Sequence, residues 1–228
     1  NFLNGQDSLF LLLWLALAFR FVEAGIWSGL FLALCAQKLH LFLLVPLVLL
    51  AQQRWRLLSG TLAGGSLLLA VSFVGGGIDW PARFLANIRR PQIHPRADIM
   101  PNLHGLLAGL PYAVALELAA GLAVAILVWL ASRRMDFHGG MAVALFGGML
   151  VSHHAYPADC VVLLPGLLLV AARATADSQC YLSLWLLTPF PYYFLLAGPP
   201  LSHAFRLTCL ALVMALAFSS PLRRATRG

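Results

Sequence analysis

The chain has 228 residues, of which 61% are hydrophobic and 10% charged, with a net charge of +7 and a mean hydropathy of +0.86. A soluble globular domain is roughly 25% charged, so this composition excludes the soluble enzyme classes and describes a polytopic membrane protein. The basic excess does not read as a nucleic-acid surface, because the arginines are divided among short connections between apolar runs instead of covering one face.

Apolar runs occupy about residues 9–22, 25–36, 39–51, 57–74, 105–131, 140–152, 159–174, 180–197 and 204–219. They predict an all-α transmembrane helix bundle with about nine membrane segments. Several runs are shorter than the ~20 residues a perpendicular span needs. Short, interrupted segments are tolerated at membrane depth only where protein covers them or a wet cavity adjoins them, which points to a cleft. The start NFLNGQDS has neither a methionine nor a basic leader region, so residues 1–228 are expected to be a single membrane domain from the C-terminal part of a longer protein.

Taken in chain order, GQDSLFLLLWLALA places Asn4, Gln6 and Asp7 ahead of an apolar helix. Asp7 or Ser8 can cap that helix, whereas Gln6 lies too far out to be needed as a cap. Next, Lys38 falls between two apolar runs with His40 beside it. A lysine at a helix centre costs about 2.5–3.5 kcal/mol on the insertion scale, so Lys38 must either snorkel to an interface or meet an anion such as phosphate. The turn QQRWR, Gln52 to Arg56, closes this region.

Residues 76–104 are read as an extracytoplasmic loop carrying an interfacial helix, with Trp80, Phe84 and Ile88 four apart on one face. Arg83, Arg89, Arg90 and Arg96 are interleaved there, and Arg89-Arg90 is suited to bidentate pairing with a lipid phosphate. Glu117, deep in the run from 105, is read as a helix-packing carboxylate, since nothing polar surrounds it in sequence.

The stretch SHHAYPADCVVLLP follows, Ser152 to Pro165. Pro157 suits a first helical turn and Asp159 complements the helix dipole there. That leaves His153, His154 and Tyr156 at a membrane surface, where imidazoles can donate to phosphate or sugar hydroxyls or move a proton near neutral pH.

Orientation follows from the basic connections. With QQRWR cytoplasmic, alternation puts Arg20, Arg133, Arg134, Arg173 and the tail LRRATRG on the same side, and Lys38, Arg83, Arg89, Arg90, Arg96 and Arg206 on the other. Asn4, Gln6, Asp7, Lys38, His40, the loop from Gly76 to His104, His153, His154, Tyr156, Asp159 and His203 then collect on the outer face, the arrangement expected of a membrane enzyme working there. The chain contains no phosphate-cradling glycine motif, no H-E-x-x-H and no G-x-S-x-G. Cys35, Cys160, Cys180 and Cys209 have no ligand spacing, so neither a metal nor a cofactor is expected. The clusters Gly64-Gly65, Gly75 to Gly77 and Gly147-Gly148 read as helix-packing or helix-end devices.

NGQDSLFLLLWLALA, GIWSGLFLALCAQKLHLFLLVPLVLLAQQRWRLLSG, GGGIDWPARFLANI, NLHGLLAGL and SHHAYPADCVVLLPGLL occur in this order from residue 1 to about 175. Together they resemble the GT-C type membrane glycosyltransferases and, within them, glycosyltransferase family 87. Leu39 stands where the family has proline after the lysine, and Pro157-Ala158 separate Tyr156 from Asp159. The resemblance implies a GT-C-like, multi-pass plasma-membrane enzyme, in the bacterial inner membrane. It would move a hexose, usually mannose, from a polyprenyl-phosphate donor to a hydroxyl of a glycan or glycolipid acceptor on the outer side. Its acidic base would lie in a first outer loop upstream of Asn1, leaving the catalytic residue of this chain unknown.

On this reading Lys38, His40, Arg89 and Arg90 bind the lipid phosphate, and Gln6, His104, His153, His154, Tyr156 and Asp159 face the sugar or substrate. Three other readings stay open. A transporter or flippase for a lipid-linked substrate would show an internal repeat with broken helices in matching positions, and the halves show no convincing repeat. An O-antigen-ligase-like glycan transferase would also want outer-face arginines and histidines. An inactive scaffold would leave the outer polar cluster without a purpose.

Overall fold

The computed structural model describes residues 8–88 and 96–218, and the regular elements among them are helices. In chain order α1 is Ser8–Arg20, α2 Ile26–Leu34, α3 Val45–Ala51, α4 Trp55–Gly76, α5 Trp80–Ile88 and α6 Leu103–Leu107. They continue as α7 Ala113–Ser132, α8 Phe137–Val151, α9 Leu164–Arg173, α10 Asp177–Leu187, α11 Phe190–Ala197 and α12 Ser202–Phe218. Gln6, Arg89 and Arg90 lie outside the described residues.

Among the described residues the nine expected crossings are not confirmed. Two helices, α4 and α7, are long and apolar enough to cross a bilayer, and the number rises to 4 if two bent helix pairs each make one span. Those pairs are Ile26–Phe42 with Val45–Ala51 and Asp177–Leu187 with Phe190–Ala197, whereas α1, α8 and α12 are shorter apolar helices. An apolar run shows that a segment avoids water, not that it spans. Leu62, Leu67, Val71 and Val74 on α4, and Val114, Leu118 and Leu122 on α7, are exposed apolar side chains. An uncovered surface of that kind belongs against lipid, and the protein is an all-helical membrane protein.

The described residues divide into two compact units, one formed by the chain up to Lys38 together with α4 and α5, the other by Leu39–Gln53 and everything from Arg96 onward. In the first unit α2 and α4 meet through glycine. A Cβ on Gly29 would fall 2.1 Å from the Leu57 carbonyl oxygen, one on Gly60 2.2 Å from that of Ile26, and one on Gly64 2.6 Å from the Ala33 Cβ. The small-xxx-small pattern of Gly60 and Gly64 thus lets two helix backbones touch. Ser28 Oγ, donating to the Ala18 carbonyl at 2.7 Å, ties α2 to α1. At the far end of α4, the Trp80 ring lies 5.7 Å from that of Phe73 and 6.0 Å from that of Phe84. Arg83 pairs with Asp79 at 3.3 Å and also donates to the Gly76 carbonyl, fastening α5 to the turn that precedes it.

In the second unit α8 is the core: from Gly139 through Leu150 every residue is buried. Helices apolar on all sides are internal ones, which is why this run does not make a lipid-facing span. Gly147 and Gly148 provide its close approaches, since a Cβ on either would lie 2.7 Å from Val128 Cγ2 or 2.1 Å from the Leu41 carbonyl oxygen.

The two ends of α8, about 22 Å apart at ~1.5 Å per residue, differ in chemistry. At its start Asp136 Oδ1 caps the helix through the Gly139 N–H at 2.9 Å, while Oδ2 meets Arg173 Nη1 at 2.9 Å. Gln52 Nε2 donates to the carbonyls of Ser132, Met135 and Asp136 at 3.0–3.1 Å, so one amide closes the C-terminus of α7. Gln52→Ala should lower the unfolding midpoint in detergent by the equivalent of about 1 kcal/mol, and a midpoint equal to wild type would show that this closure is not needed. His104, His153 and His154 lie toward the other end.

Candidate functional site

The site is built where α6, α7 and the segment after α8 meet. The apolar run from Gly105 is broken: Gly109 at φ 83° and Tyr112 at φ 60° adopt left-handed backbone between α6 and α7. This break corrects the placement of Glu117. It is the fifth residue of α7, in the turn following the helix start, and not a mid-helix carboxylate. Both of its oxygens are engaged, Oε2 by His104 Nδ1 at 3.0 Å and Oε1 by His153 Nδ1 at 3.1 Å. The two imidazoles stand edge to face with centroids 4.6 Å apart. Side-chain exposure rises from 16% for Glu117 to 33% for His104 and 73% for His153, so the cluster opens on the His153 side.

Its support is buried and polar. Asn102, fully buried, accepts the Gly105 N–H at 2.8 Å as N-cap of α6 and donates to the Ser152 carbonyl at 2.6 Å. One side chain therefore holds the helix that carries His104 and the residue preceding His153. Arg206, also fully buried, donates Nε to the Met100 carbonyl at 2.7 Å and Nη2 to the Asp98 carbonyl at 2.6 Å, with Nη1 3.1 Å from Ser202 Oγ and from His203 Nδ1. The sequence suggested an outer-loop charge here, whereas the fold uses it to clamp the strand of backbone leading into α6. That backbone wraps so closely over Gly105 that a Cβ there would meet the Ala97 and Met100 carbonyl oxygens at 2.5 Å. On the outside of the same loop Arg96 pairs with Asp98, and this hydrogen bond holds the Asp98 carboxyl below the usual carboxylate range.

Of the residues singled out from sequence, the second unit collects His40, His104, His153, His154, Tyr156 and Asp159. His154 stands edge-on to Tyr156 at 4.9 Å and to His40 at 6.3 Å. Asp159 is buried and its Oδ2 accepts the Tyr156 N–H at 2.8 Å, a local bond at the start of the 3-10 helix Pro157–Leu163. Lys38 belongs to the other unit, where it sits at a kink with φ −126° and ψ 55°. Sequence reasoning missed Glu117 as a site residue, together with Asn102 and Arg206. Signals were present for two of them: Asn before an apolar run is an N-cap, and Gly109 with Pro111 marks a break that would bring Glu117 near a helix start.

A family model described as glycosyltransferase family 87 matches residues 1–153. The match takes in His104, Glu117 and His153 and stops before His154, Tyr156 and Asp159. No curated protein and no solved structure matches the chain.

Proposed function

Because the chain belongs to glycosyltransferase family 87 and is a transferase, we propose that it moves a hexose, mannose in the first instance, from a polyprenyl-phosphate donor to a hydroxyl of a glycan or glycolipid on the extracytoplasmic face of the plasma membrane. The observation that carries this reading is the convergence of His104 and His153 on one carboxylate at the start of an apolar, lipid-length helix. A water-avoiding protein has no packing reason to hold three such groups together, and ionisable groups in membrane segments mark substrate paths.

Both Glu117 oxygens are taken up by the rings of His104 and His153, so its part is to orient those two toward phosphate or sugar oxygens, with His154 a further substrate-side residue. Displacement at the anomeric carbon proceeds with inversion: a carboxylate takes the acceptor proton while cationic donors stabilise the departing lipid phosphate, whose charge grows as the glycosidic bond breaks. Lys38, His40, Arg89 and Arg90 are the proposed phosphate ligands, and Gln6, Tyr156 and Asp159 the further substrate-side residues. The extracytoplasmic assignment draws support from α8, with Arg173 and Asp136 at one end and His153 and His154 just beyond the other, in keeping with basic residues collecting on the cytoplasmic side.

The test is transfer from a radiolabelled polyprenyl-phosphate hexose in membranes containing the protein. Wild type should label an acceptor, His153→Ala should lose about 10²-fold in rate, and Arg89→Ala with Arg90→Ala should abolish transfer while the protein remains inserted. Full activity in the double variant would remove those arginines from the site. Labelling from a nucleotide sugar with no lipid carrier present would overturn the donor class.

A further inference from the structure

The carboxylate bridging two imidazoles has a second chemical property. One ligand atom from each of His104, Glu117 and His153 lies within 4.8 Å of the other two, and the two His–Glu separations, 3.0 Å to Oε2 and 3.1 Å to Oε1, involve different carboxylate oxygens. A tetrahedral zinc ion with bonds near 2.0–2.1 Å separates its ligands by about 3.3 Å. Each imidazole nitrogen is near that spacing from its own carboxylate oxygen, so an ion between them would be met by Glu117 through both oxygens or after a small turn of the carboxylate, together with a closing of the His104–His153 edge.

We propose that His104, Glu117 and His153 form a binding site for a divalent cation of the zinc class. Two nitrogens and one carboxylate oxygen suit that class, whereas magnesium and calcium prefer oxygen alone. Each ligand is held by a different element, and two of the three are pre-positioned by Asn102, which caps the helix bearing His104 and holds the carbonyl next to His153. Binding through Nδ1 moves each ring proton to Nε2, so neutral imidazoles enter without change of charge, and the ion neutralises a carboxylate at the edge of an apolar helix. With His153 73% exposed, a fourth ligand can come from outside the protein, and an oxygen of the donor's phosphate would serve. Only in assigning that oxygen to a phosphate does the inference rest on the sugar-transfer reading. The sequence offers no spacing that signals such a site, since Glu117 is 13 residues from His104 and 36 from His153.

The experiment titrates the untagged full chain, in detergent and stripped with chelator, with Co²⁺ followed by its visible d–d absorption, then displaces the cobalt with Zn²⁺. Wild type should saturate at one equivalent, and Zn²⁺ should raise the thermal unfolding midpoint. Affinity should fall by about tenfold or more in Glu117→Gln and in His153→Ala, the second of which alters an exposed side chain and leaves the core intact. His138→Ala, at the other end of α8, should bind as wild type. Absence of saturable one-to-one binding, or affinity unchanged in both ligand variants, overturns the proposal. Those readouts are independent of transfer: ion binding with transfer unaffected by His153→Ala would sink the transfer role of these residues alone, and transfer dependent on His153 with no ion bound would sink the cation site alone.

Discussion

Arg206→Met is expected to destabilise the protein by about 3–5 kcal/mol and to weaken transfer beyond that loss. The guanidinium is fully buried and its hydrogen bonds go to the Met100 and Asp98 carbonyls, to Ser202 Oγ and to His203 Nδ1. A methionine fills similar volume but donates nothing, so buried acceptors lose their partners at roughly 1–3 kcal/mol each. The cost falls on the backbone that leads into α6, and thus on the ring of His104. Arg206→Lys should recover only part, because an ammonium cannot reproduce the planar fork that reaches two carbonyls at once. Asp98→Asn is the matched control. It removes the exposed pair with Arg96 yet leaves the backbone carbonyl that Arg206 uses, and should unfold close to wild type at neutral pH. Unfolding in mixed micelles measures the stability, and hydrogen exchange across residues 97–107 measures the local effect. Unchanged values of both in Arg206→Met would show that the clamp is dispensable.

The second large effect belongs to the other unit. Gly60→Val should cost on the order of 3 kcal/mol or more, because even the first side-chain carbon would fall 2.2 Å from the Ile26 carbonyl oxygen. No rotamer relieves a clash between Cβ and backbone, so α2 and α4 must move apart. They then lose the contact that close helix approach provides in a membrane, where packing and not water exclusion holds helices together. Gly65, the neighbour of Gly64, has nothing within 4 Å of its Cβ position, and Gly65→Ala should instead stabilise by about 0.5–1 kcal/mol through backbone entropy. Opposite signs at two glycines five residues apart on one helix make the comparison sharp. If both variants unfold at the same midpoint, the α2–α4 contact does not hold the unit together.

These residues also mark where reading the sequence stops. The histidine pair at 153 and 154, Lys38 and the interfacial pattern of Trp80 and Phe84 stood out because polar or aromatic groups against apolar runs are visible within a few residues. Glu117 was visible as well, yet it passed as a packing residue, since its partners come from 13 and 36 positions away. Arg206 looked like a loop charge, and its acceptors Met100 and Asp98 lie 106 and 108 residues upstream. The number of crossings, 2 to 4 candidates among the described residues against about nine apolar runs, differs for a related reason: a hydropathy window registers avoidance of water and cannot separate a lipid-facing helix such as α7 from one buried in protein such as α8.

The sequence by itself determined the helical membrane class, the family and the polar residues available for chemistry, because hydropathy and residue type are local properties carried by each short segment. Only the tertiary structure decided that His104, Glu117 and His153 share a site, that Asn102 and Arg206 hold it, and that α8 is core. The convergence depends on a left-handed break at Gly109 and Tyr112 and on helices packed around α8, and distances set by such packing are not encoded at any one position.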